Sequence, residues 1–232
     1  HLRIQVMRSG LSLTDAWGII NAIDDALSKE LPYAFMNNWG YLTACPTNTG
    51  TGMRGSVMMH LPALVTTKQI NKVLAAISKL SFASRGFYGE GTQASGNFYQ
   101  ISNQVALGHS EMDIIQNING LIRQVVEQEE QARQALLLQN RPMLEDKICR
   151  SWGLLKTARI ISSQEAIELF SMVRFGIDMD ILKHVDHKAL NELFIIIQPA
   201  HLQKIEGKKL NAFERDTKRA EVIRQKLGGR DV

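Results

Sequence analysis

No run of roughly 18 or more apolar residues occurs in this chain, so a membrane-spanning helix is excluded as its organising element. Cysteine is scarce. Cys45 and Cys149 are the only two, too few for a disulfide framework, and the default setting is a reduced, soluble, cytoplasmic one. The opening HLRIQVMRSG lacks the apolar core of a signal peptide. Zinc-finger spacings, RNP-like aromatic motifs and uninterrupted basic runs are missing as well, which removes the usual grounds for expecting a nucleic-acid partner. His60, His109, His184, His187 and His201 show no metal-ligand spacing, so no metal site is expected and each is read as structural or surface.

What is present is enough apolar material for a core, 44% of 232 residues, and an uneven distribution of charge. Up to Asn140 there are ten Lys and Arg against ten Asp and Glu; from Arg141 onward there are 17 against 13, so the formal +4 belongs to the C-terminal half. With mixed signs along it, that half reads first as a solvated helical surface.

The texture changes near Asn140-Arg141-Pro142. Before it, strand-like runs end at Ala44 and span residues 54–61, 81–88 and 96–103. Two helices are predicted among them: Trp17, Ile20, Ile23 and Leu27 share one face, as do Ile114, Ile118, Leu121, Ile122 and Val125 behind a Ser110–Asp113 start. After Pro142 the pattern is helical. Ser162 and Glu165 form a capping-box pair, Asp186 can cap a run to Ile197, and Pro199 closes or kinks it. The reading is an α+β fold over residues 1–139 followed by an all-helical domain over residues 140–232.

The segment CPTNTGTGMR, Cys45 to Arg54, carries the densest chemistry. Its glycines allow close backbone approach, Thr47, Asn48, Thr49 and Thr51 bring polar groups suited to anions, and Arg54 adds a planar, permanently charged fork that matches phosphate oxygens. A second glycine-rich stretch, SRGFYGEGT, sets Arg85 five residues before Glu90.

Together with the initial HLR element, these segments resemble the phosphagen (guanidino) kinases. GFYGEGTQASGNFYQISNQVALG and ERDTKRAEVIR are most similar to the bacterial protein-arginine kinases of the McsB type. The likeness covers essentially the whole chain, and it implies an antiparallel sheet flanked by helices for residues 1–139. It implies that Arg3, Arg54 and Arg85 bind the phosphates of ATP, and that Cys45 and Glu90 are catalytic, with magnesium accompanying the nucleotide. Such a role is chemically reasonable, because phosphoryl transfer needs alignment and charge cancellation more than covalent work. A guanidinium, with a pKa above about 12, must be oriented and relieved of a proton, which a carboxylate such as Glu90 can do. A second carboxylate is implied in acidic residues just upstream of His1, and without it this chain alone is expected to be a poor kinase. Cys45 is implied to polarise the acceptor guanidinium, while Cys149, beside Ile148, is expected only to pack. Two positions depart from metabolite kinases: Met58 stands where those carry a histidine near the nucleotide base, and Thr49 where they usually have leucine.

In ERDTKRAEVIR, Arg215 and Arg219 are four residues apart and share a helical face with Asp216 beside them, a two-signed clamp suited to a phosphorylated arginine. By resemblance Arg215, Asp216, Arg219 and Ala220 form an allosteric phosphoarginine site; a solvated helix pairing Glu214 with Lys218 is the plainer alternative. The resemblance further implies protein substrates with exposed arginine, an activator protein, a heat-shock repressor, the Clp protease machinery and a homodimer, in stress response and protein quality control. Phosphorylation of free arginine, or a phosphoarginine-binding adaptor without activity, are the competing functions.

Overall fold

The computed structural model describes residues 2–86 and 95–228. The chain divides into two compact units, one built from residues 1–59, 70–85 and 99–128, the other from residues 60–69, 86–98 and 129–232. It is α+β, with small antiparallel sheets, many helices and a helical C-terminal part. No helix among the described residues is long and apolar enough to cross a membrane.

The first unit opens with α1, Leu13–Ser28, whose apolar face is only partly covered and contains no fully buried residue. A short antiparallel ribbon follows, β1 (Phe35–Met36) on β2 (Gly40–Tyr41), with Phe35 opposite Tyr41 and their rings edge to face at 5.2 Å. The three-stranded sheet has the order β3 (Ser56–His60), β5 (Phe98–Asn103), β4 (Phe82–Gly86). Leu61 N–H donates to Asn97 O at 2.9 Å and Gln104 N–H to Ser81 O at 3.3 Å, so the start of each outer strand lies by the end of β5 and both pairings are antiparallel. Helix α3, Ile70–Lys79, buries Ile70, Val73 and Ile77 at helical spacing. Helix α4, Glu111–Thr157, starts where expected: Ser110 and Asp113 exchange hydrogen bonds, and Ile114, Ile118, Leu121, Ile122 and Val125 are buried. It is broken at Asn140 (φ −139°, ψ 29°), two residues before Pro142.

The second unit holds α2 (Pro62–Thr66), α5 (Ser163–Asp178), α6 (His187–Ile196), α7 (Pro199–Glu206) and α8 (Ala212–Lys226). Ser162 and Asp186 cap α5 and α6, each accepting a backbone N–H. Pro199 comes after the end of α6, and it also opens α7, because a helix tolerates proline in its first turn, where the N–H has no partner to lose. The core gathers Leu155, Ile161, Ile167, Phe170, Val173, Leu193, Phe194 and Ile223 around Phe98. Glu129 is buried, yet every demand of its charge is met: its two oxygens accept the Ala63 and Leu64 N–H groups at 3.0 Å and Arg133 Nε at 2.9 Å. Cys149 is a correction to the expectation of a packing role. It is exposed, because one step along α4 from buried Ile148 turns the side chain by about 100°.

His60 closes β3 against α5. Its ring stacks on Phe98 with centroids 4.7 Å apart, Nε2 lies 2.8 Å from Ser171 Oγ, and Nδ1 is enclosed with no hydrogen-bond partner among the described residues. Burial first, then the Arg174 and Arg133 charges, hold its pKa well below 6.5. The folded protein therefore binds fewer protons at this site than the unfolded chain as pH falls below 6.5, and stability is lost in that direction. The urea midpoint should drop between about pH 7.5 and about pH 5.5, and the drop should shrink in His60→Gln. An equal drop in both proteins would reject this assignment.

Candidate functional site

The Cys45–Arg54 segment follows β2 of the two-stranded ribbon, makes one 3-10 turn over Pro46–Asn48 and leads to β3 of the three-stranded sheet. Gly50 explains its path. Tyr41 and Gly50 exchange backbone hydrogen bonds, and a Cβ on Gly40 would stand 2.8 Å from the Gly50 carbonyl carbon. On the other side, a Cβ on Gly50 (φ +115°) would stand 2.7 Å from Ala106 O and Leu107 Cα. This glycine is needed because three backbones meet there, a demand independent of any ligand.

The loop's end is held by Asn103, at the buried end of β5. Its Oδ1 accepts Gly55 N–H at 2.9 Å, and its Nδ2 donates to Met53 O and Val105 O at 3.3 and 3.1 Å. Between those tethered residues Arg54 turns outward and donates from Nη2 to Ser102 Oγ at 2.9 Å, although Ser102 itself is fully buried. Side chains alternate along strands, so Arg54, Ser56 and Met58 stand on one face with Gln100 and Ser102 of β5. The Gln100 Nε2 to Ser56 Oγ bond of 3.0 Å runs along that face. Arg85 lies on β4, the other neighbour of β5 in this sheet. Two of the expected phosphate arginines therefore stand on or just before the outer strands of one small sheet.

The remaining expected residues are placed as follows. Cys45 is exposed at the start of the turn, its Sγ 3.0 Å from Thr47 Oγ1, while Thr43 Oγ1 donates to Cys45 O at 2.7 Å. Arg3 is exposed in the irregular segment before α1, outside any strand. Glu90 lies outside the described residues. Among the described residues no group of three His, Cys, Asp or Glu could hold a metal ion. Ser102 and Asn103 were not anticipated. Their signal was a pair of polar residues ending an otherwise apolar strand pattern.

In α8 the expected clamp is divided between interior and surface. Asn211 and Glu214 form a full capping box that starts the helix. Arg219 is 1% exposed, donating to Ile197 O at 3.0 Å and Ile161 O at 2.8 Å and pairing with Asp216, while Ala220 is fully buried. Arg215 is half-buried and donates to Leu210 O at 3.0 Å. The alternative pairing of Glu214 with Lys218 is not formed either. Glu214 serves the cap, and Lys218 pairs with Glu206 at 2.8 Å and Glu221 at 3.0 Å, which raises its own pKa and lowers that of Glu206. A two-signed element exists here, but Arg219 already satisfies the carbonyl ends of neighbouring segments.

Residues 1–132 match the family described as ATP:guanido phosphotransferase, C-terminal catalytic domain. The chain belongs to the ATP:guanido phosphotransferase family. Residues 141–231 match a second family, the protein-arginine kinase McsB C-terminal domain. The protein-arginine kinase of Halothermothrix orenii is 53% identical over 227 residues, and that of Symbiobacterium thermophilum 50% over 227 residues. Each alignment covers 98% of this chain but only 65% and 64% of the relative's length, so the chain spans somewhat under two thirds of these proteins. Among solved structures, a taurocyamine kinase from Schistosoma mansoni with bound transition state analog components is similar at a TM-score of 0.46 and 29% identity, over 51% of this chain and 16% of that one.

Two outcomes check this geometry. Asn103→Ala should cost about 2 kcal/mol in urea unfolding by orphaning the Gly55 N–H, and Gly50→Ala at least about 2 kcal/mol through clash and strain; a change in both near zero would mean the loop is held otherwise. Arg219→Ala should cost about 3 kcal/mol, because buried carbonyls and Asp216 lose their partner, whereas Arg215→Ala should cost under about 1 kcal/mol.

Proposed function

We propose that the protein is a protein-arginine kinase, transferring the γ-phosphate of ATP to arginine side chains of other proteins. The observation that carries this reading is the joining, in one chain, of an ATP:guanido phosphotransferase catalytic domain to a McsB-type C-terminal domain. Arg54, just before β3, and Arg85, on β4 of the same sheet, support it, because convergent arginines cancel charge on phosphate oxygens as the group moves.

In this reading Arg54 and Arg85, joined by Arg3, bind the phosphates. Arg54 is held in place for that work by Ser102 and by the tethered residues on either side of it. Cys45, exposed beside Thr47, meets the acceptor guanidinium and polarises it without a covalent intermediate. Glu90 orients the guanidinium and accepts its proton; this role rests on the RG-x-x-GE motif. Magnesium would come with the nucleotide and help neutralise its phosphate charge. Residues 1–139 form the catalytic portion and residues 140–232 the regulatory one, where Arg215 and Asp216 receive phosphoarginine with Arg219 and Ala220 beneath them. The setting is the bacterial cytoplasm in stress response, with an activator, a heat-shock repressor and Clp protease as partners of a homodimer.

The test incubates the full-length protein with ATP and either free arginine or an arginine-rich protein. Acid-labile label should appear on the protein, and Arg54→Ala should lower its rate about 100-fold. Label on free arginine alone would overturn the choice of substrate, and no transfer would favour a phosphoarginine-binding adaptor.

A further inference from the structure

Ser171 is a buried hydroxyl in the middle of α5, and two segments from the sheet converge on it. Asn97 Nδ2 donates to Ser171 Oγ at 2.8 Å, and His60 Nε2 lies 2.8 Å from the same oxygen. His60 is the last residue of β3, and Asn97 immediately precedes β5. The two segments are also joined by the Leu61 N–H to Asn97 O bond of 2.9 Å.

The backbone around Asn97 is unusual, and α5 shapes it. Asn97 has φ +60° and Gly96 has φ +62°, left-handed values in succession. A Cβ at Gly96 would stand 2.6 Å from Ile167 Cγ2 and 2.9 Å from Ile167 O, so only glycine lets the chain pass that turn of α5. Ile167 and Ser171 are four residues apart and thus neighbours on one helix face. That face receives the chain at Gly96, and the hydroxyl then fixes the next residue. Three and five residues later in the sequence are Gln100 and Ser102, on the face with Arg54.

With the His60 proton on Nε2, the ring donates to Ser171 Oγ, which accepts from both side chains, and the enclosed Nδ1 is left as an acceptor, less costly to bury alone than an N–H. Glu129 and Arg133 of α4 and Arg174 of α5 are the nearby charged groups on the elements packed here.

We propose that Ser171 is a positioning residue for phosphoryl transfer: through Asn97 and His60 it sets the entry of the chain into β5, and with it the placement of Gln100 and of Ser102, the hydroxyl that holds Arg54. It touches neither nucleotide nor acceptor. The inference rests on the kinase reading above.

The test uses the full-length protein with ATP and an arginine-rich protein. In Ser171→Ala, kcat should fall about tenfold or more per folded molecule, while KM for ATP stays within about twofold, since misalignment penalises transfer more than binding. Asn97→Gly keeps the left-handed backbone and removes only the amide. It should give a similar loss, and the double variant should be little worse than either single one, because all three break one link. Unchanged kcat in Ser171→Ala, a loss that only follows the folded fraction, or additive losses in the double variant would overturn the proposal. A wild-type protein that transfers nothing would instead sink the kinase reading and this inference with it.

Discussion

A strand buried on both sides can end in polar residues only if each finds a partner, and β5 is such a strand. Five of its six residues are buried, including Ser102 and Asn103. Their partners come from the glycine-rich loop: Arg54 donates to Ser102, and Asn103 binds the main chain at Met53 and Gly55. The bonds that make the strand end tolerable are thus the ones that aim the arginine. Losing a buried partner costs more than making the bond gains, which gives the loop one position rather than several.

The helical part handles its charges in a related way. Helix and segment ends leave N–H and C=O groups without internal partners, and here buried charged side chains supply them. Glu129 takes two amides at the start of α2; Arg219 takes the carbonyls of Ile161, just before α5, and Ile197, at the end of α6. Arg219 is therefore a cross-link among three helices before it is anything else. A ligand reaching it would have to displace those carbonyl bonds, whereas Arg215 and Asp216 keep partial access to water.

Much of the fold was legible because its signals are local. The starts of α4, α5 and α6 at Ser110, Ser162 and Asp186 depend on side chains within three residues of the amides they bind, and the stretches predicted at residues 54–61, 81–88 and 96–103 contain β3, β4 and β5. That the Cys45–Arg54 stretch is a glycine-bearing loop between strands was legible too, from residue types alone. Cys149 was misjudged because a one-residue step on a helix decides exposure, and α7 went unseen because its proline reads equally as an end and a beginning.

By itself, then, the sequence determined the alternation of strands and helices, the helix starts, and the family motifs with their arginines. The tertiary structure decided what no local pattern can encode: that Gly50 is required by the backbone of Ala106 and Leu107, that Ser102 and Asn103 hold the loop from about fifty residues away, and that Arg219 faces inward. Each depends on backbones distant along the chain meeting in space, and burial, not spacing, then dictates which polar group must answer which.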